Sequence, residues 1–309
     1  MKRRKGLVGL SVGIIMFLAV LAVPFTASAG STAAYPQGAD IFFLGAVPPP
    51  GVYLKLYNVY QTGSKLKDQN GNAIPDTVFK EASAFTNTLR TIWITKAKVL
   101  GADYGMQLFV PWVHLSMDGF MTGNKRSETQ IGNLTFAPVI LSWHFSQFLH
   151  AVFALDVTFP VGQYGKSAND LNIQMPCWTI EPKFGVSYFL PALPQLGFGA
   201  LLSYAYNFRN QQTDVRAGDD IHLQWGVDYG ITKALRVGIG GYYHTQIAND
   251  RNDKLGTDIA DSKTSGIGIG PGVWYQWEKF IFDFHATWDV QPKNNVEWNK
   301  YFFNITYTI

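Results

Sequence analysis

The chain has 309 residues, with 25 Lys+Arg against 22 Asp+Glu, six His, one Cys, and 22 Phe, 15 Tyr and 9 Trp. Lys2, Arg3, Arg4 and Lys5 carry the whole basic excess: without them 21 basic residues face 22 acidic ones, which leaves no electrostatic footprint for nucleic acid. The lone Cys177 excludes an internal disulfide framework, and beyond residue 29 no run approaches the ~18 apolar residues of a membrane helix.

Residues 1–29 read as an export signal. The basic start leads into an apolar stretch from Gly6 to Phe25 and then Ala27-Ser28-Ala29, so cleavage is expected after Ala29, with an uncleaved anchor over Leu7 to Val23 as the alternative. Residues 30–50 form a proline-rich lead-in: Pro48-Pro49-Pro50 removes three backbone donors and stiffens the chain. It reads equally well as a mere spacer to the barrel and as an inward-folded plug or periplasmic cap.

From residue 51 to 309 the pattern changes to strict alternation, and twelve spans follow. The first, Val52 to Thr62, sets Val52, Leu54 and Leu56 against Tyr53, Lys55 and Tyr57. In the second, Phe85 to Thr95, Arg90 shares parity with Ile92 and Ile94, which blurs the faces. The third, Ala102 to Leu115, sends Tyr104, Met106, Leu108, Val110 and Trp112 outward and Asp103 and Gln107 inward. The fourth, Gln130 to Phe145, sends Val139, Leu141, Trp143 and Phe145 outward, with Leu134, Phe136 and Ile140 on its inner face.

Span five, His150 to Val161, hides Asp156 and Thr158, and span six, Pro176 to Tyr188, hides Thr179, Glu181, Lys183 and Ser187. Span seven is Leu196 to Phe208. Spans eight and nine make a hairpin about Thr232-Lys233, in which Asp220, His222, Gln224, Asp228, Arg236, Tyr242 and His244 take the inner face. Span ten, Ser265 to Trp277, has a glycine face from Gly266 to Gly272 together with Trp274. Span eleven hides Asp283, His285, Thr287, Asp289 and Gln291, and span twelve is Tyr301 to Ile309.

Alternation over about a dozen residues gives a strand with one apolar face, and these strands match the ~9–11 residues that cross a bilayer at a tilt. The connections alternate between long polar ones and short ones, the pattern of a transmembrane antiparallel up-and-down β-barrel with outer loops, periplasmic turns and both termini on the periplasmic side. A soluble β-sandwich is the alternative, but it does not account for charges in the middle of long strands.

The inner face supplies a lumen rather than a catalytic set. Its solute-contact candidates are Tyr53, Lys55, Tyr57, Asp103, Phe136, Asp156, Glu181, Lys183, Asp220, His222, Asp228, Arg236, His244, Trp274, Asp283, His285 and Asp289, each of which has a structural salt bridge or bound water as its plainer role. The histidines lack a metal-ligand spacing, so no metal and no cofactor is expected. Gly266-Ile267-Gly268-Ile269-Gly270-Pro271-Gly272 lacks the Lys-Ser or Lys-Thr of a phosphate loop and suits close packing against something inside the lumen. Ser116, Ser127 and Ser142 have no recognisable histidine and acid partners, apart from His144 near Ser142, so no catalytic residue is assigned.

Tyr35-Pro36-x-Gly38-Ala39-Asp40, then Pro48-Pro49-Pro50-Gly51-x-Tyr53, Phe159-Pro160-Val161-Gly162-x-Tyr164 and Glu181-Pro182 carry a resemblance. With them the mature chain resembles a proteobacterial family of outer-membrane proteins named for the meta pathway of phenol degradation, which includes SphA-type transporters. The resemblance implies a barrel in the outer membrane of a Gram-negative bacterium that passes small hydrophobic or aromatic compounds. The expectation is a monomeric, porin-like, passive transporter whose partners are such a solute, outer-membrane lipid and the barrel assembly machinery. An outer-membrane hydrolase acting on lipid, or a closed structural or adhesive barrel, are the alternatives.

Overall fold

The computed structural model describes residues 36–119, 125–162, 171–173 and 176–309. The expected signal and its cleavage point lie outside the described residues, as do Tyr35 and Tyr164 of the quoted motifs. Twelve strands form a ring: β1 Gly51–Gly63, β2 Glu81–Val99, β3 Ala102–Asp118, β4 Leu134–His144, β5 Leu149–Phe159, β6 Thr179–Leu190, β7 Leu193–Asn207, β8 Asp220–Gly230, β9 Leu235–Gln246, β10 Ser265–Trp277, β11 Phe280–Lys293 and β12 Asn299–Thr308. Each pairs antiparallel with its sequence neighbours, and β1 pairs with β12, so the ring is closed. That closure excludes the sandwich. Among the described residues no helix is long and apolar enough to cross a membrane, and the crossing elements are strands.

Alternation decides the faces. Leu56, Tyr60, Phe85, Leu89, Trp93, Trp112, Phe184, Phe198, Leu202, Phe284 and Phe303 are exposed on the outer wall, Trp112 at 53%. An apolar band of this extent would be a large hydrophobic patch in water, whereas hydrocarbon is its natural solvent. Phe284 stacks on Phe303 at 4.4 Å and Tyr60 on Tyr301 at 6.5 Å, the cross-strand ring pairs that such a face permits.

The short connections, 100–101, 145–148, 191–192, 231–234 and 278–279, lie at one end, and the longer ones gather at the other. Three two-residue strands, Val215–Arg216, Arg251–Asn252 and Thr257–Asp258, join two of the long loops into a small sheet.

Two expectations need correction. The expected fourth span is two elements: a short strand, Arg126–Ile131, pairs only with the long-loop end of β3, and β4 begins afresh at Leu134. Within β4 a bulge falls between Phe136 and Val139, at Pro138, which has no N–H for the ladder. One extra residue reverses the phase, so Phe136 pairs with outward Leu108 and with Val157 and joins the outer wall rather than the lumen. Leu134 follows it, while Ile140, beyond the bulge, faces inward and is buried. Ile309 closes at the short-turn end, its N–H donating to the Val52 carbonyl at 3.1 Å, and the chain at Gln37 lies inside the barrel.

Candidate functional site

Residues 37–47 run through the lumen, and two walls hold them by different means. On one side the inner face is glycine. A Cβ on Gly226 would strike the Ile41 carbonyl, one on Gly240 would lie 2.7 Å from Ile41 Cβ, and one on Gly272 would lie 3.1 Å from the Phe42 ring. The glycine face of β10 thus serves close packing inside the lumen, with Gly268 under the Tyr242 ring and Gly266 under His244.

On the opposite side the wall is ionic. Asp40 pairs with Lys55, accepts the Tyr57 hydroxyl at 2.8 Å and lies 3.8 Å from the Arg90 guanidinium. Backbone anchors complete the hold: His285 Nε2 donates to Gly38 O at 2.7 Å, Asn304 Nδ2 to Ala39 O at 3.0 Å, and Gly45 N–H to Ser187 Oγ at 2.8 Å. The other ring nitrogen of His285 faces Asp283 Oδ1 at 2.7 Å, so the carboxylate orients the ring. Below these, Leu44 joins Tyr53, Ile92, Ile94, Ala137, Ile140, Val152, Ala154 and Leu201 in an apolar cluster. The parity that blurred the second span is explained: Arg90, Ile92 and Ile94 all face inward, the first to Asp40 and the others to the cluster around Leu44.

From Asp40 a polar belt continues around the wall. Tyr57 accepts from Arg90 at 2.9 Å, Arg90 Nε donates to Gln107 Oε1 at 2.9 Å, and Gln107 Nε2 donates to Asp156 at 3.0 Å. Lys183 then bridges Asp156 at 2.8 Å and Glu181 at 3.3 Å, and Glu181 accepts Ser203 Oγ at 2.7 Å with His222 Nδ1 at 3.6 Å. Charges taken this far from bulk water persist only when paired and hydrogen-bonded, and this belt provides both. A cavity of about 10 Å³ at this height is lined by Gln37, Glu181, Lys183, Ser203, His222, Gln224 and Tyr242, roughly room for one water.

Of the candidate residues, Lys55, Tyr57, Asp156, Glu181, Lys183 and His222 meet in the belt, and His244 lies beside His222 with ring centroids 6.3 Å apart. Asp289 accepts from Tyr242, which also accepts Lys300 Nζ at 2.6 Å. Asp228 pairs with Arg236 near the short turns, beside Trp274, and Tyr53 donates to Pro49 O at 2.7 Å. Asp103 stands apart, paired with Lys98 at 2.6 Å, and Asp220 is buried at the long-loop end opposite Gln246. Asp40, Arg90, Gln107, Ser203, Tyr242 and Lys300 were absent from the candidate set. Parity alone marks the strand residues among them, and Asp40 is the one charge beside an apolar run, Ile41 to Leu44.

Ser142 Oγ lies 3.4 Å from His144 Nε2, but that same nitrogen faces Asp103 at 3.7 Å while Nδ1 faces His150 at 2.7 Å. A serine relay needs serine and acid on opposite ring nitrogens, and this pair sits at the short-turn end rather than the outer rim.

A closed twelve-stranded ring with an apolar outer band and a charged, occupied lumen defines an outer-membrane-type β-barrel. The sequence family described as the MetA-pathway of phenol degradation matches residues 63–305, and the chain belongs to it. Among solved structures it is similar to the COG4313 outer membrane channel from Pseudomonas putida F1, at 14% identity and a TM-score of 0.76, over 87% of this chain and 99% of that one. It is also similar to the transport unit of the autotransporter AIDA-I from Escherichia coli, at 9% identity and a TM-score of 0.51, over 88% of this chain and 95% of that one. Comparison with curated protein sequences finds no match.

Proposed function

We propose that the protein is an outer-membrane channel for passive uptake of small hydrophobic or aromatic compounds, with residues 37–50 as an inward-folded plug. The observation that carries this reading is the apolar cluster around Leu44, a patch of inner wall made from Tyr53, Ile92, Ile94, Ile140, Val152 and Leu201. A pore for ions or sugars gains nothing from such a surface, whereas an apolar solute replacing Leu44 and Val47 would bury its own area there, at ~25 cal/mol per Å². The family and the channel described for Pseudomonas putida agree with it. The solute-contact surface would then be this cluster with Tyr53, Trp274 and the belt residues, acting without cofactor or covalent chemistry, in a monomer delivered by a cleaved signal and the barrel assembly machinery.

Permeation into liposomes carrying the refolded mature protein tests the proposal, with sugars, ions and poorly permeant aromatic acids compared against protein-free vesicles. Selective acceleration of aromatic solutes is the expected outcome. The seated segment and the paired charges favour one second reading, a closed structural or adhesive barrel. Absence of acceleration for every solute, in the full chain and in a chain lacking residues 30–47, would establish that reading instead.

A further inference from the structure

One side chain of the lumen segment does not belong to either wall. Ile41, Phe42 and Leu44 are buried, but Phe43 between them is only half-buried and turns toward the short-turn mouth. Its backbone has φ +53°, a left-handed conformation that bulky residues rarely adopt. The turn that holds it is closed by Ala46 N–H donating to the Phe43 carbonyl at 3.0 Å and is tied to the wall through Gly45 and Ser187.

The Phe43 ring sits in a box. Trp274 stands 5.2 Å from it at 59° and Phe189 6.0 Å at 43°, while the Arg236 guanidinium lies 5.4 Å from the centroids of both phenylalanines. Arg236 is fixed by its ion pair with Asp228 and by donation to the Gln195 carbonyl at 2.7 Å, so its face is presented in a set orientation. Two aromatic walls and a fixed cationic face form a ring-binding site, and the Asp228 carboxylate already balances the charge.

We propose that Phe43 is a built-in stand-in for solute: the box of Phe189, Trp274 and Arg236 is a binding site for a neutral aromatic ring, which competes with Phe43 for it. This rests on the channel reading and adds to it a located subsite and a ligand class. Because Asp228 neutralises the guanidinium, an aromatic carboxylate gains no net ion pair there and brings a second negative charge close to the first. Competition also links binding to the plug, since a ring entering the box removes the contact that rewards the strained turn.

The test uses the full mature barrel in nanodiscs, with empty discs subtracted, and three probes of similar size: phenol, cyclohexanol and benzoate. Phe43→Gly vacates the box and relieves the positive φ, so phenol should bind about tenfold more tightly than to the parent, with a smaller gain for cyclohexanol and for benzoate. Adding Trp274→Leu should abolish the phenol gain. A separate measurement keeps Phe43: Ala46→Cys in a Cys177→Ser background should be labelled faster by a maleimide when phenol is present and at an unchanged rate with cyclohexanol. Equal phenol affinity with and without Phe43, equal gains for all three probes, or a gain that survives Trp274→Leu would each overturn the proposal. Aromatic permeation through liposomes with none of these effects breaks this subsite and leaves the channel; the effects without permeation keep the subsite and break the channel.

Discussion

The two walls of the lumen hold one short segment by opposite physics. The glycine wall, around Gly226, Gly240 and Gly272, works by absence: backbone meets backbone because no side chain intervenes, and any added atom must displace Ile41. The ionic wall works by presence, with Lys55, Tyr57 and Arg90 converging on Asp40. The first is intolerant of addition and the second of removal. A shape-defined contact gives little directional preference, while a charge-defined one fixes register, and together they place residues 37–47 in one position along the barrel.

The largest expected effect breaks the ionic wall. Asp40→Ala leaves Lys55 and Arg90 without their carboxylate and should destabilise the barrel by about 3 kcal/mol in urea unfolding, with Lys55→Ala in the same chain recovering most of the loss. If the single and double variants unfold alike, the pair is not what holds the segment. Next, Gly226→Val places a branched side chain where the Ile41 carbonyl sits; a cost of ~1–3 kcal/mol and a rise in single-channel conductance are expected, and Gly226→Ala should show a smaller version of both.

A smaller change separates the belt from the segment. Glu181→Gln weakens the holds on Lys183 and His222 and leaves the anchors of Gly38, Ala39, Asp40 and Gly45 in place, so about 1.5 kcal/mol should be lost while conductance stays near the parent level. The outer wall supplies the contrast to both. Asn58 and Asn87 form a 2.6 Å hydrogen bond on the lipid side, with Asn58 also donating to the Phe303 carbonyl, and replacing both with Leu should change stability by less than ~1 kcal/mol, because both partners are removed together. A midpoint shift well beyond that would mean the lipid face carries specificity of its own. Last, Cys177 lies outside the barrel strands in a buried loop position, where burial pushes its thiol up to about 11 against a weaker lowering effect from Thr179. Almost none is thiolate at pH 8, so maleimide labelling of the native barrel should be slow and should accelerate on unfolding.

Much of this was readable along the chain because strand geometry is local. Tyr53, Lys55 and Tyr57 share a face through the period of two alone, as do Glu181 and Lys183. The glycine run in β10 announced a close neighbour without saying which. The phase of β4 was misread at Phe136 because a bulge adds one residue, and a single proline in an otherwise alternating strand is a weak local sign of it. Asp40 lay in a segment with no period at all, so nothing in its surroundings named Lys55 as its partner.

The sequence by itself determined a membrane-type barrel of twelve spans with a lipid-facing and a lumen-facing set of residues, since side-chain alternation, strand length and loop length are properties of neighbouring residues. Only the tertiary structure decided who meets whom inside. Arg90 reaches Tyr57 from 33 residues away, Lys300 reaches Tyr242 from 58, and His285 reaches the Gly38 carbonyl from 247. These meetings depend on the register of every intervening hairpin and on β1 closing against β12. Local sterics set which way each side chain points, and ring closure sets what it finds there.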